Sequence, residues 1–173
     1  MKDIIIIGGG IVGFATAYKI LEANPSVKIT ILEKEAGPAF HQTGNNSGVI
    51  HSGIYYKPGS WKARNCVEGY NMLLEFCNQN QVQYEICGKI IVATEKNELS
   101  SLRTLFQRGR ENGLANLRML EAGEITEYEK HVNGIAGIHV PQTGIIDYTQ
   151  VVKKLIDKIR DSGAEIIYNQ KAV

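Results

Sequence analysis

The chain has 173 residues, of which 43% are hydrophobic and 21% charged, and a formal net charge of +1. That length holds one ordinary domain, or one domain and part of another, and the near-neutral charge gives no electrostatic ground for a nucleic-acid partner or an anionic membrane surface. No stretch reaches the roughly 18 consecutive apolar residues of a membrane span, and the three cysteines Cys66, Cys77 and Cys87 have no metal-ligand spacing, which points to a reduced cytoplasmic compartment with peripheral membrane contact left open.

Residues 1–33 predict a β-α-β unit. Four isoleucines, residues 4–7, read as a buried parallel strand. Gly8, Gly10 and Gly13 then satisfy G-x-G-x-x-G at the turn into a helix. Gly8 permits the tight turn, Gly10 lets the backbone approach a pyrophosphate, and Gly13 with Ala17 lets the helix lie close on the sheet. A pyrophosphate there would meet the unpaired N–H groups and the positive end of the helix dipole. Glu33 ends the second strand at the spacing where an acid accepts hydrogen bonds from ribose hydroxyls. That acid argues against a 2′-phosphate, which favours NAD or FAD over NADP without choosing between the two.

Residues 34–60 are rich in glycine, serine, threonine and asparagine and too long for a routine connection, so they are expected to be functional. A helix is predicted over 61–80, with Cys66, Tyr70, Leu73 and Cys77 on one apolar face and both cysteines in the core. Strands at 83–87 and 89–94 flank Gly88, a helix at 98–111 stops at Asn112-Gly113, and 121–129 forms a short acidic helix with a solvated charged face. A strand at 135–140 is broken by Pro141 and a turn at Thr143-Gly144. Asp147 caps a helix over 148–160, Ser162-Gly163 ends it, and 164–168 reads as a last strand.

This order predicts an α/β fold: a Rossmann-type nucleotide-binding portion over 1–80, part of a second, substrate-facing mixed-sheet domain over 81–163, and a strand returning to the first domain over 164–173. So few strands do not cover a nucleotide-binding sheet, and the chain is expected to be the N-terminal part of a longer two-domain protein. His131 and His139 have no carboxylate or cysteine partner at metal spacing and read as structural or exposed, so no metal is expected.

The run over 41–60 contains two histidines and two tyrosines among hydroxyls, amides and glycines, as suits a backbone that wraps a polar cofactor. Together with the glycine fingerprint, Glu33-Lys34-Glu35, Cys87-Gly88-Lys89 and Thr143-Gly144-Ile145-Ile146-Asp147-Tyr148, it resembles the FAD-dependent L-2-hydroxyglutarate dehydrogenases and oxidases of the D-amino-acid-oxidase-like flavoprotein superfamily. The likeness covers nearly the whole chain and matches the N-terminal part, under half, of such proteins. It implies FAD, with ribose on Glu33 and pyrophosphate over Gly8, Gly10 and Gly13, while Thr43, Asn46, Ser47 and Gly48 line the path to the isoalloxazine. It also places Val173 where a backbone group contacts adenine. One departure is Asn45, where the family's pattern has histidine.

The implied chemistry is hydride transfer from C2 of a 2-hydroxy acid to flavin N5, with a base taking the hydroxyl proton. His51 is the candidate base and His41 the reserve. Tyr55, Tyr56 and Lys57 are candidates for binding the substrate's carboxylates, with Arg64 one helical turn past Ser60 as a further cation. The onward electron acceptor is open among oxygen, a quinone and another carrier. Two other functions compete: an NAD-dependent dehydrogenase, which explains residues 1–33 equally well, and a non-catalytic nucleotide-binding fragment.

Overall fold

In the computed structural model, which describes residues 3–173, the N-terminal elements are β1 (Asp3–Ile7), α1 (Ile11–Ala23) and β2 (Lys28–Leu32). There follow β3 (Val49–Ile50), α2 (Trp61–Asn80), β4 (Tyr84–Glu85), β5 (Lys89–Ala93), α3 (Leu99–Glu111), β6 (Arg118–Glu121) and α4 (Ala122–Tyr128). The chain continues through β7 (Ala136–Val140), β8 (Gly144–Ile146), α5 (Tyr148–Asp161) and β9 (Glu165–Ile167). No described helix is long and apolar enough to cross a membrane.

The chain forms two compact units. The first takes the described residues up to Gly48, Asn80–Val82 and Asp147–Val173, and the second takes Val49–Gln79 and Gln83–Ile146. Sequence reasoning cut the chain at 80 and 163. The structure groups α2 with the second unit and α5 with the first, because burial follows the apolar faces of helices rather than their order along the chain.

In the first unit β1, β2 and β9 form a parallel sheet in that order. The helix α1 buries Phe14, Ala17 and Leu21, spaced at three and four residues, and packs against α5, which buries Val151, Val152, Leu155, Ile156 and Ile159. Ile29 and Ile31 of β2 are buried, as a central parallel strand requires. The expectation that the isoleucines of β1 are likewise buried is corrected: Ile5 and Ile7 are 66% and 72% exposed. Among the described residues β1 is an edge strand with one neighbour, so alternate side chains lack a covering layer.

In the second unit β5, β7 and β6 form an antiparallel sheet with β7 central, and β3, β8 and β4 form a smaller one with β8 central. Its core gathers Ile54, Ala93, Leu102, Ile138 and Val140. The strand expected at 83–87 contracts to two residues and pairs with β8, while β5 pairs with β7, so the segments flanking Gly88 do not pair with each other. Cys77 is buried and its thiol is pushed up to about 11 by burial, which makes it a packing group rather than a nucleophile. Cys66 was expected in the core but is half-buried, and it donates from Sγ to the His51 carbonyl oxygen at 3.4 Å.

Asp147 caps α5 as the sequence predicts: its carboxylate accepts the Thr149 N–H at 2.8 Å and also binds the Thr149 hydroxyl. These bonds hold the Asp147 carboxyl below its ordinary pKa. A group lowered in the folded state contributes stability above its unfolded pKa of about 3.9 and loses it as pH falls through the folded value. Asp147→Ala should therefore cost about 1 kcal/mol in urea unfolding at pH 7, and the difference from wild type should shrink as pH falls through the lowered pKa of the folded-state carboxyl.

Candidate nucleotide-binding site

The site begins at the turn between β1 and α1. Gly8 has φ of +110°, a conformation that side chains rarely adopt, and its N–H donates to the Leu32 carbonyl at 2.9 Å, which ties the turn to the end of β2. A Cβ on Gly13 would stand 2.1 Å from the Gly8 carbonyl oxygen, so only glycine lets α1 start this close to the strand. The first-turn N–H groups of a helix have no partners within it. In α1 the N–H of Ile11 donates to Thr43 Oγ1 at 3.1 Å, and the first turn carries no acidic residue to neutralise the dipole.

Glu33 has a role that sequence reasoning did not assign. Its Oε2 accepts the Gly9 N–H at 2.6 Å and its Oε1 accepts the Glu35 N–H at 2.9 Å. Each carboxylate oxygen keeps a further lone pair for a ribose hydroxyl. Gly9, the glycine outside the fingerprint spacing, sits tightly against this carboxylate, since a Cβ there would meet the Glu33 side chain at 3.0 Å. The fingerprint regular expression gave no signal for this contact.

A cavity of about 400 Å³ opens over these groups, lined by Gly8, Gly10, Glu33, Thr43 and also His41 and Lys171. Glu35 lines it as well, its carboxyl held below the ordinary range first by Lys34, at 2.9 Å, and then by His41, at 3.0 Å. Gly13 lies under the cavity through its contact with Gly8. Asn46 binds the Thr43 carbonyl through Nδ2 and accepts the Gly48 N–H at 2.7 Å, shaping the chain beyond Thr43. Asn46 and Ser47 are exposed and Gly48 half-buried. Val173 is exposed, while Gln170, Lys171 and Ala172 line the cavity. Asn45, the departure from the family pattern, donates from Nδ2 to the Phe40 and His41 carbonyls at 3.0 and 2.9 Å, so it braces its own loop.

The remaining candidates belong to the second unit. His51 is exposed, as are Tyr55 and Lys57, and Tyr56 is half-buried. The loop that carries them is clamped by Asn112, whose Nδ2 donates to the Gly53 and Tyr56 carbonyls at 3.1 and 3.0 Å. Arg64 is exposed and lies 5.6 Å from the Trp61 ring centroid. Lys89, which the sequence singled out only as part of the Cys87-Gly88-Lys89 motif and gave no role, sits on Tyr55, with its ammonium 4.5 Å from the ring centroid. His131 is exposed. His139 is half-buried against Tyr128 and held below its ordinary pKa by burial and then Arg118. Among the described residues no cluster of metal-binding side chains occurs.

The arrangement in the first unit suits a dinucleotide: a glycine turn, an uncompensated helix N-terminus, and a positioned carboxylate at the end of β2. The chain matches the family described as FAD dependent oxidoreductase (DAO) over residues 3–173 and belongs to that family. An L-2-hydroxyglutarate dehydrogenase of Indibacter alkaliphilus is 49% identical over 171 residues, which covers 99% of this chain and 43% of that protein. The human mitochondrial L-2-hydroxyglutarate dehydrogenase is 46% identical over 96% of this chain and 36% of its own length. The chain thus spans less than half the length of these relatives.

Among solved structures, the dithionite-reduced L-α-glycerophosphate oxidase from Mycoplasma pneumoniae with FAD bound aligns with a TM-score of 0.88 at 30% identity. That alignment covers 98% of this chain and 45% of the oxidase. L-proline dehydrogenase from P. horikoshii aligns at 0.82 with 16% identity over 97% of this chain and 44% of its own, a likeness of fold alone.

Two substitutions test the site through FAD retention. Glu33→Ala frees two backbone N–H groups and removes the carboxylate available to ribose hydroxyls, so the FAD dissociation constant of the full-length protein, read by absorbance titration, should rise about tenfold or more. Gly13→Ala drives a methyl into the Gly8 carbonyl, and the purified protein should be colourless or strongly depleted in flavin. Retention of stoichiometric FAD by the Gly13 variant would show that the turn can open without loss of the site.

Proposed function

We propose that the full-length protein oxidises L-2-hydroxyglutarate, or a close 2-hydroxy acid, to the 2-oxo acid with FAD as its resident cofactor. The observation that carries this reading is identity of 46–49% running through nearly the whole chain to proteins named L-2-hydroxyglutarate dehydrogenases. It extends across the 41–60 run, which the glycine fingerprint does not explain. When bound, FAD supplies the acceptor for the hydride that leaves C2.

The chain's own residues hold the reactants and move the proton. Glu33 takes ribose hydroxyls on its free lone pairs, and the N-terminus of α1 with Gly8, Gly10 and Gly13 receives the pyrophosphate. Thr43, Asn46, Ser47 and Gly48 line the way toward the flavin ring, and the backbone of Val173 meets adenine. His51 accepts the substrate's hydroxyl proton on a ring nitrogen as the C2 hydride departs. Its exposed ring has no hydrogen-bond partner among the described residues, while its carbonyl is held by Cys66, which leaves the imidazole available and its backbone fixed. Tyr55, Tyr56 and Lys57 supply hydroxyl and cationic contacts to carboxylates. The first unit is the FAD-binding part and the second faces the substrate. The free cysteines support a reducing, cytoplasmic setting.

Anaerobic mixing of the full-length, FAD-loaded protein with L-2-hydroxyglutarate should bleach the visible absorbance of the flavin. Absence of bleaching sinks the substrate assignment. His51→Asn should keep its FAD and slow that bleaching by about 10²–10⁴-fold. A rate within a few fold of wild type removes His51 from the role.

A further inference from the structure

Two cations converge on Tyr55. Lys89, the first residue of β5, lies 4.5 Å from the Tyr55 ring centroid, and its Nζ donates to the phenolic oxygen at 3.4 Å. From α3, Arg108 donates through Nη1 to the Tyr55 carbonyl at 3.4 Å. The ion pairs among the described residues are Lys19–Glu22, Lys34–Glu35, His41–Glu35 and Arg118–Glu124, so neither Lys89 nor Arg108 has a carboxylate counter-ion.

That imbalance is informative. A half-buried ammonium resting on an aromatic face is attracted to the ring quadrupole, yet it spends one of three N–H donors on the Tyr55 oxygen and keeps two. With its oxygen occupied as an acceptor from Lys89, the Tyr55 hydroxyl has its own proton to give. The backbone that carries each group is held. Lys89 is held in the ladder opposite Val140, and the Tyr55 loop is clamped on both sides by Asn112. The charge of Lys89 is felt at Cys66, whose thiol binds the His51 carbonyl, so the pair shares a neighbourhood with the segment that starts at His51.

We propose that Lys89 and the Tyr55 hydroxyl form a carboxylate-recognition subsite, in which Lys89 supplies charge and Tyr55 the directional hydrogen bond. This deepens the reading above and rests on a 2-hydroxy dicarboxylate as substrate. Lys89 is then a binding residue and not a packing group for the loop.

The probe is glutarate, a dicarboxylate with no hydroxyl to oxidise, titrated into the full-length, FAD-loaded protein by calorimetry. Lys89→Met and Tyr55→Phe should each weaken glutarate binding about tenfold or more, the latter being about what loss of one hydrogen bond to a charged group gives. Lys89→Arg should stay within about threefold of wild type, as should Lys96→Met at an exposed lysine. In turnover, Lys89→Met should raise KM for L-2-hydroxyglutarate with kcat nearly unchanged, the pattern of lost uniform binding.

Unchanged glutarate affinity in Lys89→Met overturns the subsite, as does a wild-type protein that binds no glutarate. If Lys89→Met does not fold, Tyr55→Phe decides, and an unchanged affinity there overturns the proposal equally. A wild-type flavin that L-2-hydroxyglutarate fails to bleach, beside glutarate binding lost in Lys89→Met, removes the oxidation reading and leaves the subsite standing.

Discussion

The nucleotide cavity depends on an atom that is missing. Because Gly13 has no Cβ to meet the Gly8 carbonyl, α1 begins against the end of β1 and delivers its positive terminus to the rim of the sheet. Any side chain there would push the helix away and take its N–H groups out of reach of a phosphate. The cost of so many glycines in a short turn is conformational entropy in the unfolded chain. It is offset by backbone bonds that cross the turn, from Gly8 to Leu32 and from Ala39 to Gly9 at 2.9 and 3.0 Å.

Glu33 carries that constraint outward. One carboxylate takes N–H groups from the glycine turn and from the chain just past β2, so the two loops bordering the cavity share a single anchor. The exit of β9 joins them, since Gln170 donates to the Glu33 carbonyl and Asn169 to the Glu35 carbonyl, each at 2.9 Å. In the proposed function the same carboxylate accepts ribose hydroxyls, and its negative charge would disfavour a 2′-phosphate there. Much of the rigidity of the cavity rim therefore comes from one side chain.

Local signals made much of this legible in the sequence. The glycine spacing, the Asp147 cap and the Ser162-Gly163 stop each act over a few residues, and their elements appear within a residue or two of where the sequence puts them. The strands β3, β6 and β8 were not legible. They are two to four residues long and exist because partners distant in sequence complete their hydrogen bonds, as when Val49 pairs with Ile145. The isoleucines of β1 misled for a related reason: composition reports which residues favour burial, whereas position in the sheet decides whether anything covers them. Gly9 and Lys89 received no role from the sequence because their significance lies in contacts to Glu33 and Tyr55, and no spacing rule encodes those contacts.

The loop that carries His51 and Tyr55 achieves order without a regular ladder. Ser52, Gly53 and Ile54 are buried, and Ile54 enters the core beside Leu102 and Ile138, so the middle of the loop is an apolar anchor. The flanking residues His51 and Tyr55 emerge on either side of that anchor and are exposed. Asn112, Cys66 and Arg108 then bind carbonyls along the segment through their side chains, so the backbone is held without spending the segment's own side chains. A strand would have projected His51 and Tyr55 to the same face but tied their backbone groups to a neighbouring strand. Its core residue Ile54 and donors from Cys66 of α2, Arg108 of α3 and Asn112 just beyond it hold the backbone of the loop while the His51 and Tyr55 side chains stay exposed, as the proposed proton acceptor and carboxylate-binding group require.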